Sequence, residues 1–233
     1  NPEKLKVIAE RVKSQLVFGA LRFNRDTKEL FNAIFLIDRE GKIQSIYDKT
    51  FLVPFGEYLP LRGLLKYLNI FNNSYRSVDS FSSGTGLKLI KKSGFPIFLP
   101  LICYEALFSN EILGVVKEAR WILNITNDAW FGNGGGPKQH LKIARMRALE
   151  NNIPLIRVSN NGISAKISKN GKIEKHIALN KREFLDVELG LNVKRQSTYY
   201  TTIGKNVSSY FHLVLLLLTL LYYSIIKKRK KGG

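Results

Sequence analysis

The chain holds one cysteine, Cys103, which closes the apolar run FPIFLPLIC and is followed at once by Tyr104 and Glu105. A lone cysteine is by default a buried small hydrophobe. Its position allows a second role. Where a strand end feeds a helix start, unpaired backbone N–H groups and the helix dipole favour a thiolate and can hold an oxyanion. A second constellation is YDKTFLVPFGEYLP, Tyr47 to Pro60. Lys49 directly follows an apolar strand, placed to point into a cleft; a lysine there stabilises a thiolate and donates to a tetrahedral oxyanion. Glu57 sits on a loop shaped by Pro and Gly. It either orients that lysine, moves protons itself, or is a solvent-facing loop charge. The third segment is ITNDAWFG, Ile125 to Gly132, then QHLKIARMRALENNIP. Asn127 and Asp128 leave a strand, and Trp130 with Phe131 makes an aromatic knob suited to lining a pocket or touching lipid. On the following helix His140, Ala144 and Arg147 lie on successive turns, and Arg147 with Glu150 is an i, i+3 pair. Core support and surface are the expected roles of that helix.

Other chemistries are excluded by count. One cysteine forbids an internal disulfide and a multi-thiolate metal site. The histidines, at 140, 176 and 212, show no i, i+4 pair, so no metal and no cofactor are expected. The 233 residues are 45% hydrophobic, enough for one sizeable core, and carry a net charge of +19. Such an excess points to an anionic neighbour. The charge is spread along a chain that favours Lys, Asn and Ile throughout, so compositional bias together with a membrane surface is expected; no nucleic-acid-binding signature accompanies it, and nucleic acid is not expected.

The elements that must position these residues read as one mixed domain over 1–206. KLKVIAERVKSQ has the helical stripe Leu5, Ile8, Ala9 and Val12. LVFGALRF is a strand, and FNAIFLID with KIQSIYDK forms a hairpin about Glu40-Gly41. Phe51 to Ser93 reads mostly as loop, with a short helix at LLKYL. FPIFLPLICYE and WILNITND are buried strands, and the stretch between them, Glu105 to Arg120, is helix-like. Pro137 to Asn151 is a helix, and Pro154 to Ile177 supplies two or three strands about Asn161-Gly162 and Asn170-Gly171. Strands of both kinds among amphipathic helices predict a layered α/β sandwich rather than a doubly wound sheet.

From Tyr210 to Ile226 the sequence YFHLVLLLLTLLYYSII is almost uncharged, and KKRKK follows it. Seventeen residues at about 1.5 Å each reach roughly 25 Å, a little short of a bilayer core, and Val207 to Ser209 extend it. The segment predicts a membrane span at 207–226 and, by the positive-inside rule, a cytoplasmic tail at 227–233 with the domain on the far side. A solitary thiol in that oxidising compartment is unusual unless it is used.

In this order, YDKTFLVPFGEYLP, ICYEALF, NITNDAWFG, QHLKIARMRALENNIPLIRVSNNGISA and a terminal apolar helix resemble the apolipoprotein N-acyltransferases, the membrane-anchored branch of the nitrilase (carbon–nitrogen hydrolase) superfamily. The resemblance runs from about Leu16 to the final helix. It implies an αββα sandwich outside the bacterial inner membrane, in the periplasm, with N-terminal spans and one C-terminal span. It implies a Glu-Lys-Cys triad in which Cys103 matches the nucleophile and Lys49 the lysine. Glu57 matches a further important acid, and Tyr104 and Glu105 match the residues after the nucleophile; Trp130 is a supporting aromatic. The implied partners are a phospholipid acyl donor and an apolipoprotein acceptor.

One departure stands out. The family's general-base glutamate lies in a Trp-Pro-Glu segment on a strand before the first helix of the domain. Here Glu3, in Asn-Pro-Glu, opens that helix itself. The expectation is a domain incomplete at its N-terminus, without the triad base. The N-terminal spans then belong to a longer chain or to a separately encoded segment. Three functions follow: the acyltransferase domain, a nitrilase-type amidase for a small substrate, or an inactive membrane-attached remnant. The terminal helix and the Trp130-Phe131 knob argue against the second.

Overall fold

Three strands, β1 (Leu16–Asn24), β2 (Glu29–Ile37) and β3 (Ile43–Asp48), pair antiparallel in chain order. The β2–β3 turn closes on Asp38, whose Oδ1 accepts from the N–H groups of Glu40 and Lys42 while Gly41 takes φ 77°. That left-handed position is one glycine fills without strain. The computed structural model describes residues 2–61, 80–190 and 196–231. The short helix expected at LLKYL lies outside the described residues.

A second sheet has six strands, also in chain order: β4 (Ile90–Lys92), β5 (Phe95–Ile102), β6 (Trp121–Thr126), β7 (Leu155–Ser159), β8 (Ser164–Ile167) and β9 (Ile173–Ile177). β5, β6 and β7 are parallel, so each crossover carries helix. The first crossover holds α2 (Ser109–Val115) between two 3₁₀ turns, and the second holds α3 (Gly136–Asn151) after a 3₁₀ turn at Asp128–Phe131. β4, β8 and β9 attach antiparallel.

Two sequence expectations need correcting. The loop expected over Phe51 to Ser93 ends in a strand, β4, because the Ser93-Gly94 turn, with Gly94 at φ 73°, folds Ile90 back onto Phe98. The helix expected over Glu105 to Arg120 is broken into three pieces. Phe108, at φ −89° and ψ 72°, leaves the helical region, and Ser109 starts the chain turning again.

The second sheet is covered on both faces. Leu99, Leu101, Ile122 and Leu155 pack with Ile112, Leu141, Ala144 and Ala148 of the helices. Phe98, Ile102, Trp121 and Leu123 pack with Ile34, Leu36 and Tyr47 of the first sheet. Each large side chain so buried contributes about 1.5–3 kcal/mol. The N-terminal helix α1 (Pro2–Val12) contains Glu3, as the sequence predicts. Of its expected stripe Ala9 is buried, whereas Ile8 and Val12 stand half-exposed.

Residues 1–196 and 197–233 form separate compact units. The second holds α4 (Tyr199–Ile203) and α5 (Val207–Lys231), whose apolar side chains from Leu213 to Leu218 are exposed on every side. Among the described residues no helix is long and apolar enough to cross a membrane. The span expected at 207–226 therefore coincides with a helix but is not established as a crossing.

Candidate active site

Cys103 stands where β5 ends and takes a left-handed backbone, φ 50°. Its thiol is free and half-buried. Two residues on, Glu105 is fully buried and acts as a buckle. Its Oε2 accepts from the Ile102 N–H at 2.7 Å. Its Oε1 accepts from the Tyr47 hydroxyl at 2.6 Å and from the N–H groups of Thr50 and Phe51 at 2.7 and 3.3 Å. The loop after β3 is thereby tied to the turn after β5. The ring of Phe51 stacks on Phe108 at 4.1 Å, and Tyr104 meets Phe108 edge-on, closing the same junction. Burial pushes the Glu105 carboxyl up, and the four hydrogen bonds oppose it. Because three of those donors are backbone N–H groups, which can only donate, the pocket is built for the carboxylate. Burial and Glu105 also push the Tyr47 hydroxyl far above its ordinary value, which keeps it a donor.

The same buckle fixes Lys49, one residue before Thr50. Lys49 is 1% exposed, and its Nζ lies 2.6 Å from Glu57 Oε2. Glu57 also accepts from the Val53 N–H at 2.8 Å and from Asn32 Nδ2 at 3.2 Å. Gly84 packs against this loop, its N–H donating to Lys49 O; a Cβ there would meet Asp48 O at 2.2 Å. Among the described residues, Glu57 and Glu105 are the carboxylates tied to this junction, and donors already occupy the oxygens of both.

Behind the cysteine lies a buried polar network. The register sets Leu101, Asn124 and Arg157 in one row across β5, β6 and β7. Arg157 donates from Nη1 to Asn124 Oδ1, and from Nη2 to Asp128 Oδ2 at 2.7 Å. Asp128 Oδ1 meets His140 Nδ1 at 2.9 Å and accepts from Thr126 Oγ1 at 3.0 Å. His140 Nε2 faces Cys103 O at 3.2 Å, and a carbonyl there requires Nε2 to carry its proton. Burial raises the Asp128 carboxyl, but His140 and Arg157 outweigh it and hold the group at about 2. Burial pulls the Arg157 guanidinium below its ordinary value, against Asp128. Gly162 closes over this carboxylate so tightly that a Cβ would fall 2.1 Å from Asp128 Oδ2.

Residues 3–198 match the carbon-nitrogen hydrolase family. The chain belongs to that family. It is 42% identical over 174 residues to a protein of Bradyrhizobium diazoefficiens named apolipoprotein N-acyltransferase, covering 75% of this chain and 32% of that one. A protein of the same name from Rhizobium rhizogenes is 38% identical over 215 residues, covering 87% of this chain and 40% of that one. The chain thus spans between 32% and 40% of the length of these two relatives. A nitrilase-superfamily protein of Saccharomyces cerevisiae superposes with a TM-score of 0.58 at 18% identity, over 78% of this chain and 62% of that one. This shows the nitrilase-like α/β fold.

Within this carbon–nitrogen hydrolase domain the predicted residues separate into two groups. Cys103, Tyr104 and Glu105 meet the Lys49–Glu57 loop at one junction. Trp130 does not join them, being 74% exposed, while its neighbour Phe131 packs edge-on to His140 at 5.6 Å. The sequence reading assigned no site role to Asn124, Asp128, His140 or Arg157. The available signal was the polar residues inside apolar strands, Asn124 in WILNIT and Arg157 in LIRVS. A cavity of about 470 Å³ lies at the other ends of β6 and β7, beside Arg120 and Lys169, and touches none of these residues.

Proposed function

We propose that this domain transfers a fatty acyl chain from a phospholipid to the N-terminal amine of diacylglyceryl-cysteine on apolipoproteins. One observation carries the reading. A free cysteine in a left-handed strand-end turn is buckled to a buried Lys49–Glu57 pair, in a chain about 40% identical to relatives named for this reaction. The Cys103 thiolate attacks the ester carbonyl carbon. The ester C–O bond breaks, the acyl group stays on sulfur, and the lysophospholipid oxygen takes a proton. Lys49 donates to the oxyanion from N–H groups that Glu57 does not use. The substrate amine then attacks the thioester carbonyl, its proton is lost, and the C–S bond breaks to restore the thiolate. Glu57 aims the lysine, Glu105 and Tyr104 hold the turn, and exposed Trp130 contacts lipid or acceptor. The thiol proton passes to a general base.

The same reading places α5 in the bacterial inner membrane, with the basic tail cytoplasmic and the domain periplasmic. Its support is the run of exposed Leu and Val on α5. A membrane keeps phospholipid and lipidated acceptor at high effective concentration beside the site. Single cysteines placed in the tail of a Cys103→Ser chain are expected to be shielded from an impermeant thiol reagent in whole cells. Labelling from outside would refute the topology.

The test of function joins this chain to the N-terminal part of the Bradyrhizobium diazoefficiens relative. Incubated with phospholipid, that chimera is expected to carry an alkali-labile acyl group on Cys103. Cys103→Ser should carry none, since a hydroxyl is far less acidic than a thiol. A folded chimera that hydrolyses small amides and never acquires an acyl group would overturn the proposal.

A further inference from the structure

A left-handed backbone costs a residue with a side chain about 1–2 kcal/mol and persists where the surroundings over-determine it. At Cys103 the surroundings are specific. The carbonyl of Leu101 accepts from Asn124 Nδ2 at 3.2 Å, and the carbonyl of Cys103 lies 3.2 Å from His140 Nε2. Between them the Ile102 N–H is held by Glu105. Both carbonyl donors come from outside β5, one from β6 and one from α3, and a single side chain links them. Arg157 of β7 donates to Asn124 through Nη1 and to Asp128 through Nη2, and Asp128 meets His140. The Arg157 side chain is completely buried. This guanidinium serves no core packing that an aliphatic side chain would not serve better, and burying it is costly. Its hydrogen bonds instead run to the two groups that grip the backbone on either side of the cysteine.

We propose that His140 and Asn124, linked behind the turn through Asp128 and Arg157, are positioning residues that set the backbone geometry of the Cys103 turn without touching substrate. The inference rests on Cys103 being the nucleophile of the proposed reaction, but its main test does not need catalysis. The link to the cysteine is His140, and the discriminating pair is His140→Leu against His140→Gln. Leucine removes the donor to Cys103 O. Glutamine places an amide N–H close to the position of Nε2.

Hydrogen exchange of the full chain, read on peptides covering residues 101–108, is expected to quicken by about tenfold in His140→Leu, the loss of one hydrogen bond. Peptides of β1 and β2 should keep their protection, and His140→Gln should return 101–108 to the wild-type rate. If His140→Leu does not fold, Asn124→Ala, which frees the Leu101 carbonyl, is expected to loosen the same peptides. In the acyl-transfer chimera, His140→Leu should slow Cys103 acylation at unchanged lipid KM, and His140→Gln should restore it. Exchange that rises evenly over the whole domain, or a glutamine no better than leucine, would overturn the positioning role. A wild-type chimera that takes no acyl group would sink the functional reading while leaving the exchange result standing.

Discussion

Asp128→Asn is expected to destabilise the domain by about 3–5 kcal/mol at neutral pH, the usual result of removing one partner from a buried ion pair. Asparagine has the same shape and can still accept from the Thr126 hydroxyl. It cannot neutralise Arg157, whose side chain has no exposure and whose Nη2 lies 2.7 Å from the carboxylate. The size of the loss should depend on pH in a defined way. The Asp128 carboxyl is held at about 2 against an ordinary 3.8, so its contribution is fully present above about pH 4 and is lost as pH falls through 2. Acid therefore makes the wild type resemble the variant. Glu105, shifted the other way, is common to both proteins and cancels in the comparison. Urea unfolding at several pH values measures the difference directly. A gap below about 1 kcal/mol at pH 7 would show that the guanidinium is satisfied without Asp128.

The second large effect is at Lys49. The sequence sets this lysine at a strand end, placed to point into a cleft, and the structure buries it. Lys49 is 1% exposed and bonded to a Glu57 that is itself 9% exposed. Lys49→Ala leaves a buried carboxylate with the Val53 N–H and Asn32 amide as its remaining donors. The expected loss is about 3 kcal/mol, accompanied by loss of acylation in the chimera. Removing both charges together, as in Lys49→Met with Glu57→Gln, should recover much of the stability and none of the acylation. Thermal or urea unfolding separates the two effects. A Lys49→Ala domain within about 0.5 kcal/mol of wild type would place the lysine back at the surface.

Short-range physics was legible in the sequence. Alternation and apolar runs located β1, β2, β3, β5 and β6, since burial of one or both sheet faces demands such patterns. Turn chemistry located Gly41 and the Asn-Gly connections about β8. Cys103 and Lys49 stood out because each sits beside a strand end, Glu57 as a charge on a loop shaped by Pro and Gly, and Glu105 through the resemblance of the segment that carries it. Helix α2 was misjudged because its break at Phe108 lies in an apolar stretch that an unbroken helix would fit as well.

The sequence could not supply the partners. Asp128 and Arg157 are 29 residues apart, and His140 and Cys103 are 37 apart. They meet because β5, β6 and β7 run parallel, so that every crossover returns to the same edge of the sheet and delivers its first polar residues there. In β7 the usual polarity is even inverted. Arg157 is buried while its neighbour Val158 is 47% exposed, so a reading of hydrophobicity along LIRVS turns the strand the wrong way. A charge can face the interior only where distant residues supply its counter-charge and hydrogen bonds. For Arg157 those residues are Asn124 and Asp128; for Lys49 the counter-charge is Glu57, eight residues on, a pairing the sequence offered as one of three readings. Local sequence selects the elements and the reactive side chains; which of the charges are buried, and against what, is decided by the register of the sheet.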